Sequence, residues 1–162
     1  MCSLSNEITH PTVDVDTVRS KIKNDSLRLI DVRREEDYNK GHITNAVNLP
    51  LANLLSDDSP ERVVKLAENM GITDDTQVVV YDDTFGALAS RVAWTLQYVG
   101  HSNVALLEVT YSQWKELGLK TSTEKPNIKS TKHSLNLNPE IMATAEYLEA
   151  AKKKDNVVLI DN

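Results

Sequence analysis

The chain has 162 residues, 40% of them hydrophobic and 26% charged, with a formal net charge of −6. That length holds one full domain but not two of similar size. Its scattered basic residues offer no stripe for nucleic acid or an anionic membrane, and no apolar run reaches the length of a membrane span.

The single cysteine, Cys2, cannot pair within the chain, and no basic-then-apolar leader is visible, so the expected compartment is the cytoplasm and Cys2 reads as a mobile terminal residue. Residues 1–10 carry no periodicity and read as a frayed lead-in. Val15, Val18 and Ile22 then share one helical face, with Asp14 or Asp16 placed to cap its start. Leu27, Leu29 and Ile30 predict a strand ending at Asp31-Val32-Arg33, and Arg34 to Tyr38 a solvated helical turn that stops at Gly41-His42-Ile43. Ala46 to Pro50 is extended, because Pro50 disfavours helix at Leu49. Pro60 opens a helix with a buried face of Val63, Leu66, Ala67 and Met70, and Gly71 suits its left-handed cap.

The centre of the chain is residues 78–91. Val78-Val79-Val80-Tyr81 reads as a strand buried on both faces, and Leu88, Val92, Leu96 and Val99 recur at helical spacing up to Gly100. The loop between them, Asp82-Asp83-Thr84-Phe85-Gly86, lies where a parallel sheet gathers helix N-termini and unpaired amides. A site for an anion there would want a nucleophile or a cation, yet this loop carries two carboxylates. Asn103 to Leu107 predicts a further strand, and Tyr111 to Leu117 a helix closed by Gly118. Strands alternate with helices throughout, so the expected class is α/β, a mainly parallel central sheet with helices on both faces.

The first domain spans 1–120 on this reading. Residues 121–139 are polar and aperiodic and read as a linker. Over 140–162, Ile141, Ala145 and Leu148 predict a helix and Val157 to Asp161 a strand. Residues 143–161 align without a gap on 13–31, with Lys153, Asp155, Leu159, Ile160 and Asp161 matching Lys23, Asp25, Leu29, Ile30 and Asp31. The match suggests the start of a second, truncated repeat. The alternative is an ordinary helix and strand completing a single domain.

Asp83 is expected to cap the helix near Gly86, against an altered ligand-binding role. Arg33 and Arg91 could bind an anionic donor or pair with neighbouring carboxylates, and pairing is the commoner outcome. Thr84, Phe85 and Gly86 complete the candidate cleft-facing loop, and Phe85, the only Phe, could line a pocket or an interdomain contact. His42 reads as a packed or turn residue, and His10, His101 and His133 as isolated, so no metal is expected. Trp94 and Trp114 fall at core-facing positions.

Leu29-Ile30-Asp31-Val32-Arg33, Tyr38, Gly41-His42-Ile43, Ala46 and Asn48-Leu49-Pro50 resemble the opening signature of the rhodanese family. Val78 to Asp82, Gly86, Ala89 to Trp94, Val99-Gly100-His101, Val104, Leu106-Leu107 and Trp114 resemble the rest of that family's first domain, in its tandem-domain thiosulfate sulfurtransferase form. The resemblance covers about residues 10–120. It implies a catalytic cysteine in a C-terminal domain and an acidic residue at the equivalent loop position here, Asp83 by ungapped placement or Asp82 if the loop is one residue longer. The partners it implies for the intact protein are thiosulfate or another sulfane-sulfur donor, a thiophilic acceptor and the chain's own C-terminal rhodanese domain. No cofactor and no catalytic residue are expected in this chain. A stand-alone noncatalytic module that binds a protein or a small anion is the rival from another class. A phosphatase-like relative would need a Cys and an Arg bracketing the loop, which Asp82 and Asp83 do not provide. Glu108-Val109-Thr110 stands where the family typically has an Asp-Gly-Gly turn, so a remodelled turn is expected there.

Overall fold

The computed structural model describes residues 10–24 and 26–160. Cys2, most of the lead-in, Asp25 and the terminal Asp161 lie outside the described residues.

The elements in chain order are β1 (Thr12–Val13), α1 (Val15–Lys21), β2 (Leu27–Asp31), α2 (Glu35–Lys40), β3 (His42–Ile43), β4 (Val47–Asn48), α3 (Leu51–Leu55) and α4 (Pro60–Asn69). They continue with β5 (Gln77–Tyr81), α5 (Ala89–Tyr98), β6 (Val104–Leu107), α6 (Tyr111–Glu116), β7 (Thr121–Ser122), a 3-10 turn (Pro139–Ile141) and α7 (Ala145–Ala151). Five strands form one sheet in the order β1-β6-β5-β2-β4, with every adjacent pair parallel. This is the expected α/β architecture.

Strand alternation divides the core between the two faces of the sheet. Ile30, Val78 and Val80 pack with Leu54 of α3, Val63 and Ala67 of α4, and Val92 and Leu96 of α5. Leu29, Val79 and Tyr81 pack on the other face with Val18 of α1, Tyr38 of α2 and Trp114 of α6. β5 is buried at all of its positions, which is why it reads as an unbroken β-branched run rather than an alternating one. Gly71 takes a φ of +71° at the end of α4, the left-handed cap that only glycine adopts without strain.

Several expectations need correction. Trp114 is buried, but Trp94 is only half-buried and stacks on Tyr98 with ring centroids 5.5 Å apart. β1 and β7 are not anticipated, because two residues are too short to show a period. Val157 to Ile160 form no strand. They have no strand to pair with among the described residues, and Val158 and Ile160 remain 81% and 85% exposed. Helix α7 does form, capped by Thr144, and within 139–160 only Ala151 is buried.

The polar segment expected as a linker lies packed along the domain. β7 pairs antiparallel with β3, Ile128 packs on the core, and Thr131 donates its N–H to the Glu68 carbonyl at 2.9 Å. Asn136 and Asn138 donate to the carbonyls of Val99 and Tyr98. His133 is buried with its Nε2 3.0 Å from His101 Nδ1, so these two histidines are not isolated. A polar, aperiodic sequence reads as a tether because its anchors are backbone groups and single, scattered side chains, which leave no periodic pattern. Among the described residues no helix is long and apolar enough to cross a membrane.

Candidate functional site

The carboxyl ends of β2 and β5 lie side by side where the strand order reverses, because the chain passes from β2 outward to β4 and returns to the other side as β5. In open parallel sheets this reversal leaves a crevice. Here it is flanked by Asp31 at the end of β2, by Arg33 just beyond it, and by the Asp82 to Gly86 loop after β5.

The loop closes around Asp82, which is 2% exposed. Its Oδ1 accepts the N–H groups of Thr84 and Gly86, each at 2.9 Å. Its Oδ2 accepts the N–H groups of Leu88 at 2.9 Å and Ala89 at 3.0 Å, and the Thr84 hydroxyl at 2.8 Å. Burial alone would raise the pKa of this carboxyl, but the donors from Gly86, Ala89 and Thr84 outweigh it and hold the group below the ordinary carboxylate value. Phe85 and Gly86 bend the loop tip with φ of +55° and +87°. Phe85 is left 84% exposed, on the rim of a small pocket with Tyr81, Leu106 and Val109.

The expectation that Asp83 caps the helix is therefore corrected. β5 ends at Tyr81, so Asp82 is the residue whose side chain turns under the loop, while Asp83 points outward. Asp83 accepts instead from the N–H and hydroxyl of Ser112, at 2.8 and 2.7 Å, and ties the loop to the first turn of α6. The Glu108-Val109-Thr110 turn is built without glycine and without positive φ. Thr110 and Gln113 form a reciprocal capping box that starts α6.

Arg33 is held on the opposite side of the crevice. Its Nε and Nη2 donate to Asp31 at 2.6 to 3.1 Å, Nη2 also reaches the Gly41 carbonyl at 2.8 Å, and the guanidinium lies 3.7 Å from the centre of the Tyr111 ring. Burial works against its charge, yet the Asp31 carboxylate more than compensates and raises its pKa. Gly41 is needed for this packing, since a Cβ there would stand 2.6 Å from the Tyr111 hydroxyl. Arg91 is not in the crevice. It pairs with Asp58 at 3.0 Å across the outer face of α5 and lies over Trp94.

Arg33, Asp83, Thr84 and Tyr111 therefore meet on one cleft of about 930 Å³, whose walls add Arg34, Lys40 and Lys115 as cations and Asp37 and Glu124 as anions. Lys40 is neutralised by Asp37 at 3.1 Å. His42, next to Gly41, is buried and does not line the cleft; it stacks 3.8 Å from Tyr38, with its two ring nitrogens 2.9 and 3.1 Å from the carbonyls of Tyr38 and Glu124. Tyr38 donates to the Ala46 carbonyl at 2.7 Å, and burial pushes its hydroxyl pKa up to about 12. No group of three or more His, Cys, Asp or Glu able to hold a metal occurs among the described residues. Sequence reasoning finds the loop and Arg33 but misses Asp31, Ser112 and Tyr111. The adjacency of Asp31 to Arg33 is the only signal that could have pointed to their pairing.

A family model described as Rhodanese-like domain matches residues 14–117. A sulfur carrier protein of Thermus thermophilus is 33% identical over 129 residues, covering 73% of this chain and 45% of that protein. The rat thiosulfate sulfurtransferase is 25% identical over 165 residues, covering 91% of this chain and 56% of that enzyme. The chain spans about half the length of these curated relatives. Among solved structures, SseA of Escherichia coli, described as a 3-mercaptopyruvate sulfotransferase, superposes with a TM-score of 0.77 at 22% identity, over 90% of this chain and 63% of that one.

Proposed function

The chain belongs to the rhodanese family, and from that membership we propose that it is the N-terminal, catalytically silent unit of a two-unit sulfurtransferase of the thiosulfate:cyanide type. The observation that carries this reading is the place of Asp82, whose carboxylate lies within 3.0 Å of the amides of Thr84, Gly86, Leu88 and Ala89. Sulfane-sulfur transfer needs a thiolate that attacks the donor, becomes a persulfide and passes the outer sulfur on. Amides at a helix start stabilise such a thiolate. Here they are saturated by a carboxylate, which cannot carry sulfur. Asp82, rather than Asp83, then occupies the position of the catalytic cysteine, and this unit supplies no catalytic residue.

Its role is to buttress the cleft against a C-terminal rhodanese-like unit, of which residues 140–162 are the beginning and 121–139 the connection. Thiosulfate or another sulfane-sulfur donor and a thiophilic acceptor are the substrates of the whole, in the cytoplasm. The half-length coverage of the relatives supports a second unit of comparable size. The test is a protein extended past Asn162 by roughly one more domain of 100–150 residues. Treated with thiosulfate, it should gain the mass of one sulfur atom on a cysteine in the added part. If no such cysteine is present, or no sulfur is gained, the sulfurtransferase reading falls.

A second reading, a stand-alone module that binds a protein or a small anion, draws on the cleft itself, where Arg33, Arg34 and Lys115 line the walls. Calorimetric titration of this chain with thiosulfate separates the two. Saturable binding that is lost in Arg34→Glu or Lys115→Glu would favour the module.

A further inference from the structure

We propose that residues 126–138 form a strap latched to the domain by the buried pair His101 and His133, and that protonation of this pair releases the strap together with the segment beyond Asn138. The strap lies directly on two glycines: a Cβ on Gly71 would collide with Ile128, and one on Gly100 with Asn136. Between those points His133 turns inward, its side chain 2% exposed, onto His101 at the end of α5, which is 1% exposed. The rings meet with centroids 5.1 Å apart and nitrogens 3.0 Å apart.

The proton positions follow from the partners. His133 Nδ1 lies 2.8 Å from the Ser134 carbonyl, which only accepts, so Nδ1 carries a proton and Nε2 is left to accept from His101 Nδ1. His101 Nε2 is then unprotonated and buried without a hydrogen-bond partner. The neutral pair is complete with one proton on each ring. A further proton would place a buried cation against a second ring with little water to solvate it.

The groups facing the pair come from several elements. Asp74, ahead of β5, holds Ser134 through its N–H and hydroxyl, each at 2.8 Å, and stands 3.6 Å from His133 Nδ1. Glu68 of α4 lies 3.5 Å from the His133 N–H, and its carboxylate is shared by Lys65 at 3.1 Å and Lys132 at 3.8 Å. The backbone of Thr76 and Asn103 flanks His101. Burial, followed by the neighbouring His133, pushes the His101 pKa down to about 4, against smaller opposing contributions from the backbone of Thr76 and Asn103 and, last, from Asp74. The carboxyls of Asp74 and Glu68 lie below their ordinary values, held there first by the Ser134 N–H and by Lys65 respectively, so they titrate under the histidine window.

Once the strap lifts, the His101 ring faces water with the ordinary pKa of about 6.5. Below that pH the open state takes up a proton on His101 that the closed state refuses. Docking weakens by up to about tenfold per pH unit below that value, roughly thirtyfold between pH 7.5 and 5 for one ring.

Amide hydrogen exchange on the full chain at pH 7.5 and pH 5, corrected for the intrinsic rates, tests the latch. The amides of Thr131, Ser134, Asn136 and Asn138 should lose protection about thirtyfold at pH 5 while those of β5 keep theirs. Replacing both rings, as His101→Phe with His133→Phe or, if that strap does not dock, as His101→Leu with His133→Leu, should abolish the pH step, and Asp74→Asn should retain it. The proposal is overturned if the wild-type strap is equally protected at both pH values, or if β5 opens with it. It is also overturned if the step survives in a double variant whose strap docks, or vanishes in Asp74→Asn.

Discussion

The Asp82 carboxylate accepts the backbone N–H of Ala89 at 3.0 Å, so the residue that follows β5 is fastened to the first residue of α5 across the whole loop. The first-turn amides of a helix have no partners within it. Here one buried side chain satisfies that of Ala89 together with the amides of Gly86 and Leu88 in the loop before it. Asp82→Ala should therefore cost about 3 kcal/mol, because it strands one buried and several part-buried donors at once. Asp83→Ala, which frees only Ser112 near the surface, should cost much less. Urea denaturation of the two variants measures the difference, and a larger loss for Asp83→Ala would refute the assignment of the cap.

Acid should act on the same group. The folded pKa of Asp82 is depressed, so its contribution is fully present above the unfolded value of about 3.9 and is lost as pH falls through the folded pKa. Wild-type stability should decline more steeply below about pH 4 than that of Asp82→Asn, which has no carboxyl to protonate. Urea midpoints at pH 5, 4 and 3 give the comparison.

The asymmetry between Asp82 and Asp83 marks the limit of what sequence could provide here. Val78 to Tyr81 announce a strand because β-branched residues crowd a position buried on both faces, and the helix faces are legible from spacing. Two adjacent carboxylates have the same chemistry, and only the point at which β5 stops decides which turns inward. His101 and His133 are 32 positions apart, and no local pattern brings them together. Val157 to Ile160 err in the other direction, with strong strand propensity and nothing among the described residues to pair with. The fold was legible wherever burial dictates residue type, while the site and the strap depend on backbone groups and long-range contacts that do not.

Asp31 and Arg33 form a buried pair, 0% and 9% exposed. Removing one partner should leave the other charge uncompensated and cost about 3–5 kcal/mol, whereas replacing both by apolar residues should cost far less. Arg33→Met, Asp31→Leu and the double variant, compared by urea denaturation, form the cycle. Additive losses would mean that the two side chains are not coupled.

A thiol placed at Asp82 would meet the amides that now hold its carboxylate, whereas a thiol at Asp83 would meet only Ser112. In a Cys2→Ser background, Asp82→Cys should be alkylated by iodoacetamide with a midpoint below the ordinary thiol pKa of about 8.5, and Asp83→Cys close to it. Neither should turn over thiosulfate at rates on the order of 1–1000 per second, because the supporting cations and acceptor site must be placed within about half an ångström. Equal titration of the two thiols would mean that the amides do not favour an anion at residue 82.

The docked strap changes what truncation should do. From sequence, a cut between Lys120 and Pro126 should leave a folded domain, since the residues beyond it read as a tether. The structure places Ile128 against the core, His133 against His101, and the N–H groups of Thr131, Asn136 and Asn138 on carbonyls of α4 and α5 or their ends. Cutting at Lys120 also removes β7 and the Glu124 carbonyl that meets His42, leaving buried polar groups of the first unit without partners. Each such loss costs about 1–3 kcal/mol, so a chain ending at Lys120 should lose a large part of a stability that for a domain is only about 5–15 kcal/mol. A chain ending at Met142 keeps every one of those contacts and gives up mainly exposed side chains. Thermal unfolding of the two truncations should therefore show a cooperative transition close to the full chain for the cut at Met142, and a lowered or broadened one for the cut at Lys120. If both unfold like the full chain, the strap contributes nothing to the first unit and residues 121–138 are a tether after all.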